Sequence, residues 1–199
     1  NGSCDICVVS LPPPPPGDFC QYAIPHTSSL NDVPAFTQGT NYLATLDDKG
    51  CINNDLVADV WYKFTPTATT HEIFVESDMY RPQIELLKGT CNNFESLYCS
   101  FTSTTRFSRI YYALFKPGEE YYIRVYNAPL TNGYTNAVVK QSGRFGIAIT
   151  IPGKPQNDEC TAAVALQVCP SGTACQQSRL YETSFATPGT DIAGCGGAK

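Results

Sequence analysis

Arg144-Phe145-Gly146-Ile147-Ala148-Ile149-Thr150-Ile151-Pro152 sets Phe145, Ile147, Ile149 and Ile151 on one face of an extended chain and Gly146, Ala148 and Thr150 on the other. A period of two is the mark of a strand with one face toward a core. Pro152 cannot donate to a ladder and ends it. The stretch also has an earlier echo. Cys7-Val8-Val9-Ser10-Leu11-Pro12, a Pro-rich spacer and Gly17-Asp18-Phe19-Cys20 return as Ile147-Ala148-Ile149-Thr150-Ile151-Pro152, a spacer and Asn157-Asp158-Glu159-Cys160. Pro12 and Pro152 stand 140 residues apart, as do Cys20 and Cys160. Self-similarity at a fixed offset points to a tandem array. The expected organisation is the last strand of a preceding unit (1–11), a linker (12–16), one complete unit (17–151), a second linker (152–156) and the start of a following, incomplete unit (157–199).

The rest of the complete unit reads as strands. Val60, Tyr62 and Phe64 alternate with Trp61, Lys63 and Thr65. His71-Glu72-Ile73-Phe74-Val75 and Gln83-Ile84-Glu85-Leu86-Leu87 are short runs of the same type. Arg109 to Phe115 ends in the turn signal Lys116-Pro117-Gly118-Glu119, and Tyr121-Tyr122-Ile123-Arg124-Val125-Tyr126 follows. No segment carries helical periodicity with caps. Many short strands between Gly, Pro and Asn turns predict an all-β fold, a β-sandwich. Pro12 to Pro16 favours an extended rod, so it reads as a semi-rigid spacer rather than a ligand for signalling domains.

Composition narrows the function. Of 199 residues 16% are charged, against about 25% in ordinary domains, and the net charge is −5. Without a basic cluster, nucleic acid is excluded as a partner. No apolar run approaches the roughly 18 residues that cross a bilayer, so membrane insertion is not expected. Asn1-Gly2-Ser3 has no signal-peptide character. Ten cysteines imply an oxidising compartment. Zinc sites pair short spacings with histidines; here Cys4-x-x-Cys7 stands alone, far from His26 and His71, so disulfides are the expected use.

Asn157-Asp158-Glu159-Cys160, Ala58-Asp59-Val60-Trp61-Tyr62-Lys63-Phe64, Leu87-Lys88-Gly89-Thr90-Cys91 with Leu97-Tyr98-Cys99-Ser100, and Tyr121 to Tyr126 occur in family-like order. Together they resemble the repeat domains of secreted Bacteroidota surface proteins, related to the pre-peptidase C-terminal domain and found in gliding-motility adhesins. The resemblance covers the central unit and both partial ones. Gly17-Asp18-Phe19-Cys20 departs from it, lacking the usual Asn and Glu. The resemblance implies a jelly-roll-like β-sandwich, type IX secretion and an adhesive or carbohydrate-directed role. It also implies disulfides Cys91–Cys99, Cys20–Cys51 and, by analogy with the latter, Cys160–Cys195, leaving Cys169–Cys175 as a local pair. Cys4 and Cys7 stay unassigned. On one strand they lie about 10 Å apart, beyond the ~7 Å that a bridge spans. Either Cys4 lies in a bend and a strained bridge forms, or each pairs upstream.

Catalysis finds little footing. A nucleophile needs a base within reach, and the only imidazoles, His26 and His71, read as surface residues outside any motif. Glu72 and Glu85 are possible paired carboxylates, but in alternating strands they read as a solvated face. No phosphate-cradling loop occurs. The one metal proposal is calcium, which takes several oxygen ligands. The loop before Trp61 offers Asp47, Asp48, Asn53, Asp55 and Asp59, though an ordinary polar loop explains these residues equally well. Tyr42, Tyr80, Tyr98 and Tyr134 lie in loop-like surroundings and suit sugar or protein contact. Trp61 reads as a core or inter-sheet residue. The leading reading is a non-catalytic extracellular or cell-surface repeat module of an adhesin or fibre. Its partners would be neighbouring units or identical chains, with glycans or surface proteins as further candidates. Alternatives are a carbohydrate- or protein-binding accessory domain of a secreted hydrolase, and a filament subunit completed by strand exchange.

Overall fold

The computed structural model describes residues 10–30, 34–47, 51, 57–79, 81–100, 105–131, 138–155, 157–158, 160–163 and 186. The chain divides into two units, Asn1–Ile151 and Pro152–Lys199. The first is a β-sandwich, with twelve strands among the described residues. In chain order these are β1 (Ile24–Pro25), β2 (Ser29–Leu30), β3 (Thr37–Thr40), β4 (Leu46–Asp47), β5 (Val57–Phe64), β6 (His71–Ser77), β7 (Pro82–Thr90), β8 (Asn93–Cys99), β9 (Phe107–Tyr112), β10 (Tyr121–Thr131), β11 (Val138–Gln141) and β12 (Arg144–Ile151). A seven-stranded sheet runs β1-β5-β10-β7-β8, with β4 on β5 and β11 on β10; a five-stranded sheet runs β2-β12-β6-β9, with β3 also on β12. Pairing is antiparallel except at β1–β5 and β2–β12.

Alternation fills the space between the sheets. Val60, Tyr62 and Phe64 of β5, Ile84 and Leu86 of β7, and Ile123 and Val125 of β10 face Ile73, Val75, Ile110, Phe145, Ile147 and Ile149 of the other sheet. Each is at most 3% exposed. Burying a side chain of this size stabilises by about 1.5–3 kcal/mol, so this layer dominates the fold's energy.

The seven-stranded sheet is covered on its outer face as well. Trp61, read as a core or inter-sheet residue, is a core residue of this outer face, because its strand neighbours Val60 and Tyr62 take the inner one. It stacks on Phe94 at 5.3 Å and joins Ala23 and Leu87 in a second apolar cluster with Cys20 and Tyr122. A 3-10 turn, Cys20–Tyr22, closes over it. Gly17 holds that segment down: its carbonyl accepts from the Trp61 N–H at 2.8 Å, and φ of +76° suits a residue without a Cβ.

Two disulfides fasten the same face, with partners exchanged relative to expectation. Cys20 bonds Cys91 and Cys51 bonds Cys99, with Cα separations of 5.6 and 5.9 Å. The β7–β8 hairpin explains the exchange. Thr90 pairs with Asn93 near its tip, whereas Cys99 lies opposite Glu85. At ~3.4 Å per residue the two hairpin cysteines stand roughly 20 Å apart, too far to bridge. The Cys160–Cys195 pairing rests on analogy with Cys20–Cys51 and loses that support. Cys195, Cys169, Cys175, Cys4 and Cys7 lie outside the described residues.

The second unit opens with two features of the first. Asp18 N–H donates to Pro15 O at 3.2 Å ahead of the Cys20–Tyr22 turn; Asp158 N–H donates to Pro155 O at 3.0 Å ahead of a 3-10 turn at Cys160–Ala162. The offset is again 140 residues.

Candidate binding face

The outer face of the five-stranded sheet is built differently from its counterpart. On β9, Ser108 and Ile110 point inward, so Phe107, Arg109 and Tyr111 point out. On β6, Ile73 and Val75 fill the core and leave Glu72, Phe74 and Glu76 outside. The register sets Phe74 beside Arg109, Glu72 beside Tyr111 and Glu76 beside Phe107. Phe36, just ahead of β3, completes a row: Phe36–Phe74 centroids are 5.6 Å apart and Phe74–Phe107 6.2 Å. Arg109 lies over Phe74 at 5.1 Å and over Tyr111 at 5.6 Å. Its Nη1 donates to the Tyr111 hydroxyl at 2.7 Å and its Nε pairs with Glu72 at 2.6 Å.

These rings are held in place and still open to solvent, Phe107 51%, Tyr111 41% and Phe36 38% exposed. Rigid aromatics beside a guanidinium and carboxylates suit sugar faces or protein side chains, because apolar area is presented with little ordering cost. A groove of about 400 Å³ continues from the row, lined by Phe36, Gln38, Glu76, Asp78, Arg106 and Arg144 among others.

The ionisable groups of the opposite face have a structural role. Arg124, 2% exposed, donates from Nε to Asp59 Oδ2 and lies 3.5 Å from Glu85 Oε2. Its guanidinium lies 5.4 Å from the Trp61 and Tyr126 rings. Burial raises the Tyr126 phenol to about 12, so it stays neutral. Glu85 is therefore buried and paired rather than solvated. Glu72, bound to Arg109, is in the other sheet, and both point outward, so the two are on opposite sides of the sandwich and cannot form a glycosidase pair.

Of the calcium set, Asp59 is committed to Arg124, Asp47 ends β4, and Asp48, Asn53 and Asp55 lie outside the described residues. Cys51, Glu85 and Cys99 bring ligand atoms within 4.8 Å of one another, but the two sulfurs are bonded to each other and offer no thiolate.

His71 is wholly buried, correcting its reading as a surface residue. The core-facing side of β6 places it edge-on to Phe64 and Phe115 at 5.6 and 5.3 Å. Among the described residues neither ring nitrogen has a hydrogen-bond partner. Burial holds its pKa below the ordinary 6.5. Among the described residues it has no nucleophile to activate. His26, half-buried, makes its ring contacts to the carbonyls of Thr27 and Ile147.

Tyr42 and Tyr98 are exposed; Tyr80 and Tyr134 lie outside the described residues. The aromatic row is not among the residues that the sequence singles out. Its signal is nonetheless there in Phe107, Arg109 and Tyr111, which alternate with residues that must face inward.

No family model matches this chain, and no curated protein matches it. Among solved structures, the pre-peptidase C-terminal domain of collagenase from Bacillus anthracis is similar at 15% identity and a TM-score of 0.34, covering 62% of this chain and 97% of that one. Among the described residues, no helix is long and apolar enough to cross a membrane.

Proposed function

We propose that the chain is a non-catalytic module of a secreted or cell-surface protein, adhesive in role, that makes contact through the outer face of its five-stranded sheet. The observation that carries this reading is the row Phe36–Phe74–Phe107, braced by Arg109 and open to solvent on a sandwich whose opposite face is sealed. The two disulfides favour an oxidising, extracellular setting. The 140-residue recurrence of turn and 3-10 helix favours a role as one unit of an array, with neighbouring units or surface glycans as partners.

A glycan array and adhesion to immobilised surface proteins, run with wild type and a Phe107→Ala/Tyr111→Ala double variant, test the reading. Retained thermal stability with lost binding supports it. Equal binding by both proteins refutes it. A calcium ion on the Asp47–Asp55 loop belongs to the same proposal, without Asp59. A rise in melting temperature with calcium that chelator reverses supports it, and an unchanged melt removes it.

A further inference from the structure

A further site lies on the closed face of the seven-stranded sheet, away from the aromatic row. Glu85 of β7 and Cys99 of β8 are register partners, so their side chains stand on the same side of the sheet. Cys51 is brought to them from the connection between β4 and β5. A carboxylate oxygen of Glu85 and the two sulfurs all lie within 4.8 Å of one another. In the oxidised chain the sulfurs are joined. Both cysteines are half-buried, so a reductant can reach the bond. Reduction turns the same three residues into two thiols and a carboxylate within a single coordination radius.

Two details suit this cluster to a cation. First, Glu85 is 6% exposed, and its Oε2 has no hydrogen-bond partner among the described residues; Arg124 Nη1 stands 3.5 Å away as an ion-pair partner. Arg124 also pairs with Asp59. Two buried carboxylates thus share one guanidinium, and among the described residues the cluster keeps one net negative charge. Such a charge is costly away from water, and a bound cation offsets it. Second, the span between the cysteines serves a metal as well as a disulfide. Their Cα atoms are 5.9 Å apart. Sulfurs stand about 2 Å apart in a disulfide and about 3.8 Å apart across a tetrahedral zinc ion with ~2.3 Å bonds. Side-chain rotation absorbs that difference. Ser96 Oγ, 3.5 Å from Cys99 Sγ, is placed to donate to a thiolate.

We propose that the reduced chain binds a thiophilic divalent cation, zinc by its ligand set, through Cys51, Cys99 and Glu85, with water in the fourth position. Calcium and magnesium take oxygen ligands, whereas two thiolates select zinc-like ions. A dithiol reductant supplies the electron pair. Thiol–disulfide exchange breaks the S–S bond, leaves two protonated thiols on the chain and converts the reductant to its own disulfide. Metal binding then displaces the two thiol protons. The two states exclude each other: a disulfide fastens Cys51 to the β7–β8 hairpin in oxidising surroundings, and zinc fastens it in reducing ones.

The test is a cobalt(II) titration, followed by zinc displacement, of the full chain reduced with a phosphine under anaerobic conditions. Because the chain has other cysteines, the reading is a difference between variants. Wild type is expected to bind one more cobalt with thiolate charge-transfer absorption than Cys51→Ser/Cys99→Ser. Glu85→Gln keeps that absorption but binds at least about tenfold more weakly, having lost a charged ligand. Wild-type affinity falls about a hundredfold per pH unit below the ordinary thiol pKa of ~8.5, because two protons leave. Zinc raises the melting temperature of reduced wild type and leaves that of reduced Cys51→Ser/Cys99→Ser unchanged. Equal cobalt stoichiometry in these two proteins, an affinity indifferent to Glu85→Gln, or a reduced wild type whose melting zinc does not move overturns the proposal. Failure of the glycan and adhesion assays, which concern the other face, would leave it untouched.

Discussion

The two outer faces of this sandwich carry the same kinds of residue to opposite ends. Each has an arginine against aromatic rings with a carboxylate beside it. On the seven-stranded sheet the set is Arg124, Trp61, Tyr126, Asp59 and Glu85, buried beneath a 3-10 turn and two disulfides. On the five-stranded sheet it is Arg109, Phe74, Tyr111 and Glu72, and nothing described covers Tyr111 or Phe107. An ion pair shut away from water is costly to break, whereas one in water contributes little. The first face therefore holds the fold together, and the second keeps its rings exposed, as the proposed adhesive role requires.

Making one substitution on each face tests this most strongly. Arg124→Met strands Asp59 and Glu85 in a dry site and is expected to cost roughly 3–5 kcal/mol in urea unfolding. Arg109→Met, in a half-exposed pair, is expected to cost at most about 1 kcal/mol. Equal losses would mean that the five-stranded sheet's outer face is also structural, and the adhesive reading would fall with it. Should Arg124→Met fail to fold, the triple change that also makes Asp59→Asn and Glu85→Gln removes the unpaired charges and recovers part of the stability.

The disulfides give the next largest effect. Cys20→Ser/Cys91→Ser opens a loop of 71 residues and Cys51→Ser/Cys99→Ser one of 48. Each is expected to cost about 2–4 kcal/mol. Peptide mapping without reduction should recover Cys20 with Cys91 and Cys51 with Cys99; recovery of Cys91 with Cys99 would contradict the hairpin register. By the 140-residue offset Cys160 corresponds to Cys20, so the same map should not join Cys160 to Cys195.

How much of this is legible in the sequence depends on the range of the interaction. The strands of the core are readable because Phe145, Ile147, Ile149 and Ile151 declare their face locally, and so do Val60, Tyr62 and Phe64. The disulfides are not, because two hairpin cysteines eight positions apart look like neighbours until the register carries one to the far end of β8. Asp59 looks like a metal ligand for a similar reason. Its partner Arg124 stands 65 residues away, and only the pairing of β5 with β10 brings the two together. Glu85 reads wrongly because alternation assigns one face to solvent, and here segments from elsewhere in the chain close over it; the same cover buries Trp61, which reads as a core residue and is one. The open face is the readable one, yet its aromatic row emerges only when the sheet order sets β6 beside β9.

The smallest effect concerns His71, where core chemistry and titration meet. Its imidazole is enclosed by Phe64 and Phe115 without a polar partner among the described residues, so protonation must place a charge among rings. The native pKa therefore falls below the unfolded value of about 6.5. Above that value both states are neutral and the histidine adds no pH dependence. As pH drops through 6.5, the unfolded chain takes a proton that the native chain refuses, and stability falls, by at most about 1.4 kcal/mol per pH unit from this group. His71→Phe, similar in volume and already among aromatic rings, is expected to lie within roughly 1.5 kcal/mol of wild type at pH 7.5. Between pH 6.5 and 5 it should gain steadily on wild type, since it carries no such proton. Urea midpoints measured across that range decide the matter. A gap between the two proteins that stays constant with pH would show that His71 is neutral in both states or solvated in the native one, and its place in the closed interior would have to be given up.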